Sequence, residues 1–173
     1  MAATDIAMKV YQALPASIRD TAFIRVLAFF KIPLISFCRP SVVSLTDDRC
    51  VVKIPLNRRT KNHLNSMYFG VLCVGADVAG GLMAMRLIQA KGNRVNLVFQ
   101  DMRAEFLKRA EGDVHFTSED GKACLELVNQ ALAGDERVSC PVVITATCPD
   151  KMGTEAVARF TLTLSLKKKK EKA

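Results

Sequence analysis

Apolar and polar positions change period several times along the chain, and each change marks an element. Residues 4–14 and 17–32 repeat at helical spacing and predict two helices split by Pro15. Ser17 is placed to cap the second, with Asp20 three residues on. Its stripe of Phe23, Val26, Leu27 and Phe30 is expected to pack on the main body or to roof an apolar ligand. The helix should stop at Pro33 and give way to a loop. Residues 41–56 alternate as a hairpin: Val43 and Leu45 precede a turn at Asp47–Asp48, and Cys50, Val52, Ile54 and Leu56 follow it.

After a polar loop from Asn57 to Ser66 the period changes again. Met67 to Met85 is an uncharged run apart from Asp77. It is too long for a strand, so a helix from about Met67 to Ala90 is expected, stopped by Gly92 and Asn93. Such a run nears membrane-spanning length. A central Asp costs about 2.5–3.5 kcal/mol on insertion scales, and Gly70, Gly75, Gly80 and Gly81 weaken an isolated helix. A core helix is therefore the better reading. Beyond it, Val95, Leu97 and Phe99 open a long strand or strand pair that runs to Leu107, and a further strand covers Val114–Thr117. Ser118 is placed to cap a helix bearing Cys124, Leu127, Val128 and Ala131, and Gly134 ends it. Strands Val138–Cys148 and Ala156–Leu166 close the chain around a turn at Met152–Gly153. No βαβ rhythm appears. The fold class expected is α+β: a curved antiparallel sheet wrapped around one long central helix, with N-terminal helices. The expected divisions are a helical extension at 1–40, the main domain at 41–166 and a basic tail at 167–173.

Composition narrows the function classes. The 173 residues carry a net charge of +8, but Lys167 to Lys170 supply half of it. The basic residues are not interleaved with aromatics, so nucleic acid is not the expected partner. The six cysteines include no CxxC pair, and two histidines lack ligand spacing, so neither a disulfide framework nor a metal site is expected. No secretory signal is apparent at the N-terminus, which points to a cytoplasmic setting. Asp77 is the residue that most invites chemistry, because a carboxylate in an apolar helix is costly unless it is used or compensated. A buried structural acid, bonded to backbone or to Tyr68, is the alternative.

The stretch Asn62-His63-Leu64-Asn65-Ser66-Met67-Tyr68-Phe69-Gly70, continuing to Asp77, resembles the hotdog-fold acyl-CoA thioesterases, in particular the small phenylacetyl-CoA type. The residues from Phe106 to Asp113 resemble that family's strand–turn segment after the helix. The resemblance covers roughly residues 41–166 and implies a hydrolase acting on acyl-CoA or acyl-carrier thioesters. It needs no cofactor beyond the coenzyme A carried by the substrate. It implies that Asp77 is base or nucleophile, that the N–H groups of Phe69 and Gly70 form an oxyanion hole, and that Asn62 positions the carbonyl or a water. His63, Asn65, Tyr68, Lys108 and Arg109 fall where substrate contacts are implied, the last two toward the phosphates of coenzyme A. This chain departs from the family's pattern: Phe69 replaces the first helix glycine and Tyr68 replaces a histidine. The polar residue that follows the helix in the family has only Asn93 and Asn96 as nearby candidates. The resemblance also implies a homodimer or dimer of dimers with sites shared between chains. A non-catalytic acyl-CoA or lipid binder on the same fold is the alternative, and membrane contact through Arg19, Arg25 and Lys31 is a further possibility.

Overall fold

The computed structural model describes residues 14–169. Two short helices come first, α1 (Ala16–Lys31) and α2 (Pro33–Cys38), followed by the hairpin β1 (Ser41–Leu45) and β2 (Cys50–Ile54). The long helix α3 (Phe69–Ala90) precedes β3 (Val95–Phe106) and β4 (Val114–Ser118). Helix α4 (Gly121–Ala133), β5 (Val138–Thr147), the single turn α5 (Pro149–Met152) and β6 (Ala156–Lys168) complete the chain. The six strands form one antiparallel sheet in the order β1-β2-β4-β5-β6-β3.

Helix α3 is the axis of the core. Val71, Leu72, Ala76, Ala79, Leu82 and Met83 are buried in one cluster with Ile54, Phe116, Ile144, Leu162 and Leu164 from four strands. A helix apolar on nearly every side must be covered on nearly every side, and the curved sheet supplies the cover. Gly75 makes the closest approach, since a Cβ there would lie 2.2 Å from the Phe116 ring. Length and composition alone would let α3 cross a membrane, yet 72% of its most apolar window is buried inside the protein.

The strands follow the alternation expected of them, with local departures. Cys50, Val52 and Ile54 face inward. In β1 a bulge between Val42 and Ser44 buries Val42 and leaves Val43 exposed, the reverse of simple alternation. The segment from Val95 is one strand, not a pair. It stays paired with β6 through a bulge between Phe99 and Met102. β6 pairs as far as Lys168 with Val95, so Lys167 and Lys168 belong to the sheet and not to a tail.

Three expectations are corrected. Ser17 does not cap α1: the helix begins at Ala16, Pro15 occupies the cap position, and the Pro15 carbonyl accepts from the Ile18 and Arg19 N–H groups. The residues after Pro33 form α2, with proline at its first turn, where its missing N–H costs nothing. Ser118 ends β4 between Cys50 and Ile144 and does not cap α4. Its buried hydroxyl has no hydrogen-bond partner among the described residues, and Asp120 takes the cap position. The helix expected over residues 4–14 lies almost wholly outside the described residues.

The face by which α1 docks is also not the predicted one. Ile24 and Ala28 are buried, Thr21 exchanges hydrogen bonds with the Val42 backbone, and the Arg25 Nε donates to the Pro40 carbonyl. Leu27 is partly buried against the core, but Phe23, Val26 and Phe30 face outward. Because α1 is apolar on both sides, its spacing does not identify the inner one.

Candidate functional site

The loop before α3 is built by side chains that tie its backbone down. The Thr60 hydroxyl donates to the Pro55 carbonyl at 2.6 Å, and the Thr60 carbonyl accepts the Tyr68 N–H at 2.9 Å. The Met67 N–H donates to the Ala110 carbonyl at 2.8 Å, which fastens the loop to the segment after β3. The Asn62 side-chain oxygen accepts from the Leu64 N–H, the Ser66 N–H and the Ser66 hydroxyl at 2.9, 3.2 and 3.3 Å. The two backbone donors on one atom identify it as the oxygen, so the amide nitrogen is the group left for a ligand. Asn65 sits in the left-handed region (φ 59°) at the turn, and its side chain accepts from the Lys61 Nζ.

Helix α3 therefore starts at a fixed point. Tyr68 is its cap residue and makes no side-chain cap bond. The Val71 and Leu72 N–H groups donate to the Tyr68 carbonyl. Among the described residues, the N–H groups of Phe69 and Gly70 donate to nothing. Two free amide donors at the positive end of a long helix make a site for a developing oxyanion.

Phe69 lines a cleft of about 550 Å³ together with Asn62, His63, Tyr68, Phe106, Lys108 and Arg109, among others; Gly70, next to it, is not among the lining residues. The Tyr68 and Phe69 ring centroids lie 4.7 Å apart with the rings tilted by 57°, and Phe69 meets Phe106 edge-on at 6.1 Å. Lys108 pairs with Glu155, and no ion pair holds Arg109 among the described residues. Among the described residues no carboxylate lines this cleft. Asn65, exposed at the turn, is not among its lining residues. Phe106 is a member that sequence reasoning missed; its signal was its place as the last residue of β3, just before Lys108.

Asp77 lies elsewhere. It lines a second cavity of about 230 Å³ whose other walls are apolar. Ile24, Leu27, Ala28, Ile32 and Ile35 of α1, α2 and their junction roof it; Gly81, Leu82 and Met85 of α3 and Leu97–Phe99 of β3 complete it. Burial pushes the Asp77 carboxyl above the ordinary carboxylate range. No hydrogen bond ties it to Tyr68 or to any other described residue. At 1.5 Å per residue, Asp77 is about 10–12 Å along α3 from Gly70 and Phe69 of its own chain. Asn93 is at the opposite end of α3, where it accepts from Lys169, and Asn96 pairs with Lys167 in β3. Among the described residues no group of three or more His, Cys, Asp or Glu side chains could hold a metal ion.

A family model described as a domain of unknown function (DUF4442) matches residues 20–166. No curated protein sequence matches the chain. Solved structures do. A Shewanella oneidensis protein described as a "putative thioesterase" is similar at a TM-score of 0.71, with 16% identity over 84% of this chain and 96% of that one. A Chlorobaculum tepidum protein of unknown function is similar at a TM-score of 0.74, with 14% identity over 88% and 96% of the two chains. A thioesterase from Haemophilus influenzae is similar at a TM-score of 0.62, with 14% identity over 83% and 88%. At such identities the likeness shows the fold, which is the hotdog fold with N-terminal helices.

Proposed function

The chain belongs to the family described as a domain of unknown function (DUF4442), and we propose that it is a thioesterase that hydrolyses acyl-CoA or acyl-carrier thioesters in a site shared by two copies. The observation that carries this reading is the separation of the two half-sites along β3. Phe106, at one end of the strand, belongs to the cleft with the free helix amides; Leu97, Val98 and Phe99, at the other, belong to the Asp77 cavity. Within one chain Asp77 cannot reach a carbonyl held at the helix start, because reacting atoms must come to about 3–3.5 Å.

β3 is also an edge strand, twelve residues long, and among the described residues it pairs only with β6. The other edge, β1, is bonded to Thr21 of α1. Open edges of this length are usually paired. Antiparallel pairing of β3 with β3 of a second copy, about a two-fold axis near its middle, would set the cleft of each chain beside the Asp77 cavity of the other. One such homodimer would hold two equal sites, and dimers of dimers would repeat them.

In this site the thioester oxygen is held by the Phe69 and Gly70 N–H groups and by the Asn62 amide. The partner's carboxylate at position 77 acts on the carbonyl carbon, either as nucleophile, expelling the thiolate and leaving an anhydride for water to cleave, or as base toward an attacking water. Arg109 and Lys108 at the cleft mouth suit the phosphates of coenzyme A, with Tyr68 and His63 along the pantetheine path. The apolar cavity beside Asp77 takes the acyl chain. A cytoplasmic setting fits the free cysteines, four of which are buried.

The direct test is release of free thiol from a panel of acyl-CoA chain lengths. Thiol release from at least one chain length is expected; tight binding of every acyl-CoA with no thiol release would identify a non-catalytic binder instead. Gly81→Leu tests the acyl cavity. A side chain at Gly81 meets Phe99 only at ordinary contact distance, 3.6 Å, so leucine should fit and occupy space in the cavity. Each methylene excluded costs about 0.8 kcal/mol, roughly fourfold in turnover. Long chains should therefore lose far more than short ones. Equal loss across the panel would place the acyl chain elsewhere.

A further inference from the structure

The outer face of α1 and α2 has no role in the site above. On α1, Ile18, Val26 and Phe29 follow one another at helical spacing with Phe30 beside them, and all are exposed, the two phenylalanines to 67% and 73%. Leu34 and Phe37 extend the patch onto α2, again exposed. Scattered exposed apolar residues need no explanation, but six large ones on two adjoining helices mark a contact surface.

Charge indicates what the surface contacts. Residues 14–40 and 57–69, which carry the patch and the loop beside it, contain Arg19, Arg25, Lys31, Arg39, Arg58, Arg59 and Lys61 against one acid, Asp20. The Arg59 guanidinium lies 5.6 Å over the Phe37 ring, which joins the loop cations to the apolar patch. None of the seven cations is in a salt bridge among the described residues; every ion pair lies elsewhere. A second copy docked by the same patch about a two-fold axis would bring like charges together. Protruding phenylalanines ringed by cations match the interface of an anionic lipid bilayer instead.

We infer that α1 and α2 seat the protein on an anionic membrane surface, with Phe29, Phe30, Leu34 and Phe37 in the acyl–headgroup boundary and the arginines on the headgroups. The same helices roof the Asp77 cavity with their inner faces. The membrane surface would therefore lie against the roof of that cavity, on the side away from Asp77.

Co-sedimentation of the full chain with vesicles tests this independently of any catalysis. Binding is expected to vesicles of mixed phosphatidylcholine and phosphatidylglycerol, to weaken as salt is raised, and to be much poorer with phosphatidylcholine alone. Phe29→Ser with Phe30→Ser should lower the partition coefficient by at least about tenfold with an unchanged melting temperature, since both rings are largely exposed. Arg58→Gln with Arg59→Gln, two of the seven cations, should weaken binding and reduce its salt dependence in part. Absence of binding by the full chain, or binding unaffected by the serine pair, would overturn the inference. So would a concentration-dependent assembly without vesicles that the serine pair disperses, which would assign the patch to a second copy.

Discussion

Asp77→Asn should lower thioester hydrolysis by at least about a hundredfold, the scale set by loss of a positioned acid–base group, while the fold survives. The amide is nearly the same size and makes no worse contacts in the cavity under α1, but it can neither attack a carbonyl nor accept a proton from water. The stability change should have the opposite sign to the activity change. Burial raises the folded-state pKa of Asp77, so the folded state favours the protonated acid. That contribution is present below the unfolded pKa and is lost as pH rises through the folded value. Above the folded value the ionised group therefore opposes folding, and asparagine removes the opposition. The expected result is a melting temperature equal to or above that of the parent, with turnover gone. The parent's rate should fall on acidification at a pH above the ordinary carboxylate range, because only the ionised form reacts. Full turnover in the variant would remove Asp77 from the chemistry; a variant that fails to fold would make it a structural acid.

Phe69→Pro should be nearly as damaging and for a different reason. Phe69 is the first residue of α3, a position where proline fits the helix and where the missing N–H breaks no intrahelical bond. Tyr68 before it is already extended (φ −64°, ψ 136°), as a residue preceding proline must be. The substitution thus deletes one amide donor and little else in the backbone. Loss of one oxyanion donor costs about 10²–10³ in turnover. Phe69→Ala is the control: it removes the ring, which is more than half exposed, and keeps the N–H, so most turnover should remain. If proline and alanine behave alike, the side chain matters and the amide does not.

Much of this architecture was legible because burial leaves a period in the residues. The run from Met67 to Met85 could be covered only inside a protein or a bilayer, and the alternation around Cys50, Val142 and Leu162 required a sheet to do the covering. The grouping of residues was legible too: one cleft gathers Asn62, His63, Tyr68, Phe69, Lys108 and Arg109, all named from the sequence. What was not legible lies where period carries no direction. The inner face of α1 is decided by Thr21 and Arg25 reaching the backbone near Val42 and Pro40, not by the apolar stripe. The β1 bulge reverses Val42 and Val43 without any change in composition. Ser118 resembles a cap by residue type, but the strand ladder claims it first. The distance between Asp77 and the helix amides follows from both lying on the one helix α3, and it is the ground for proposing a site divided between two chains.

That division is the central claim, and mixing chains tests it most directly. Asp77→Asn and Phe69→Pro chains should each be inactive alone. After subunit exchange at equal amounts, half the dimers pair one of each, and each mixed dimer holds one site with both groups intact. Activity should return to about a quarter of the parent value. No recovery, with exchange confirmed by tagged chains, would mean that Asp77 and the α3 amides do not meet across a shared interface.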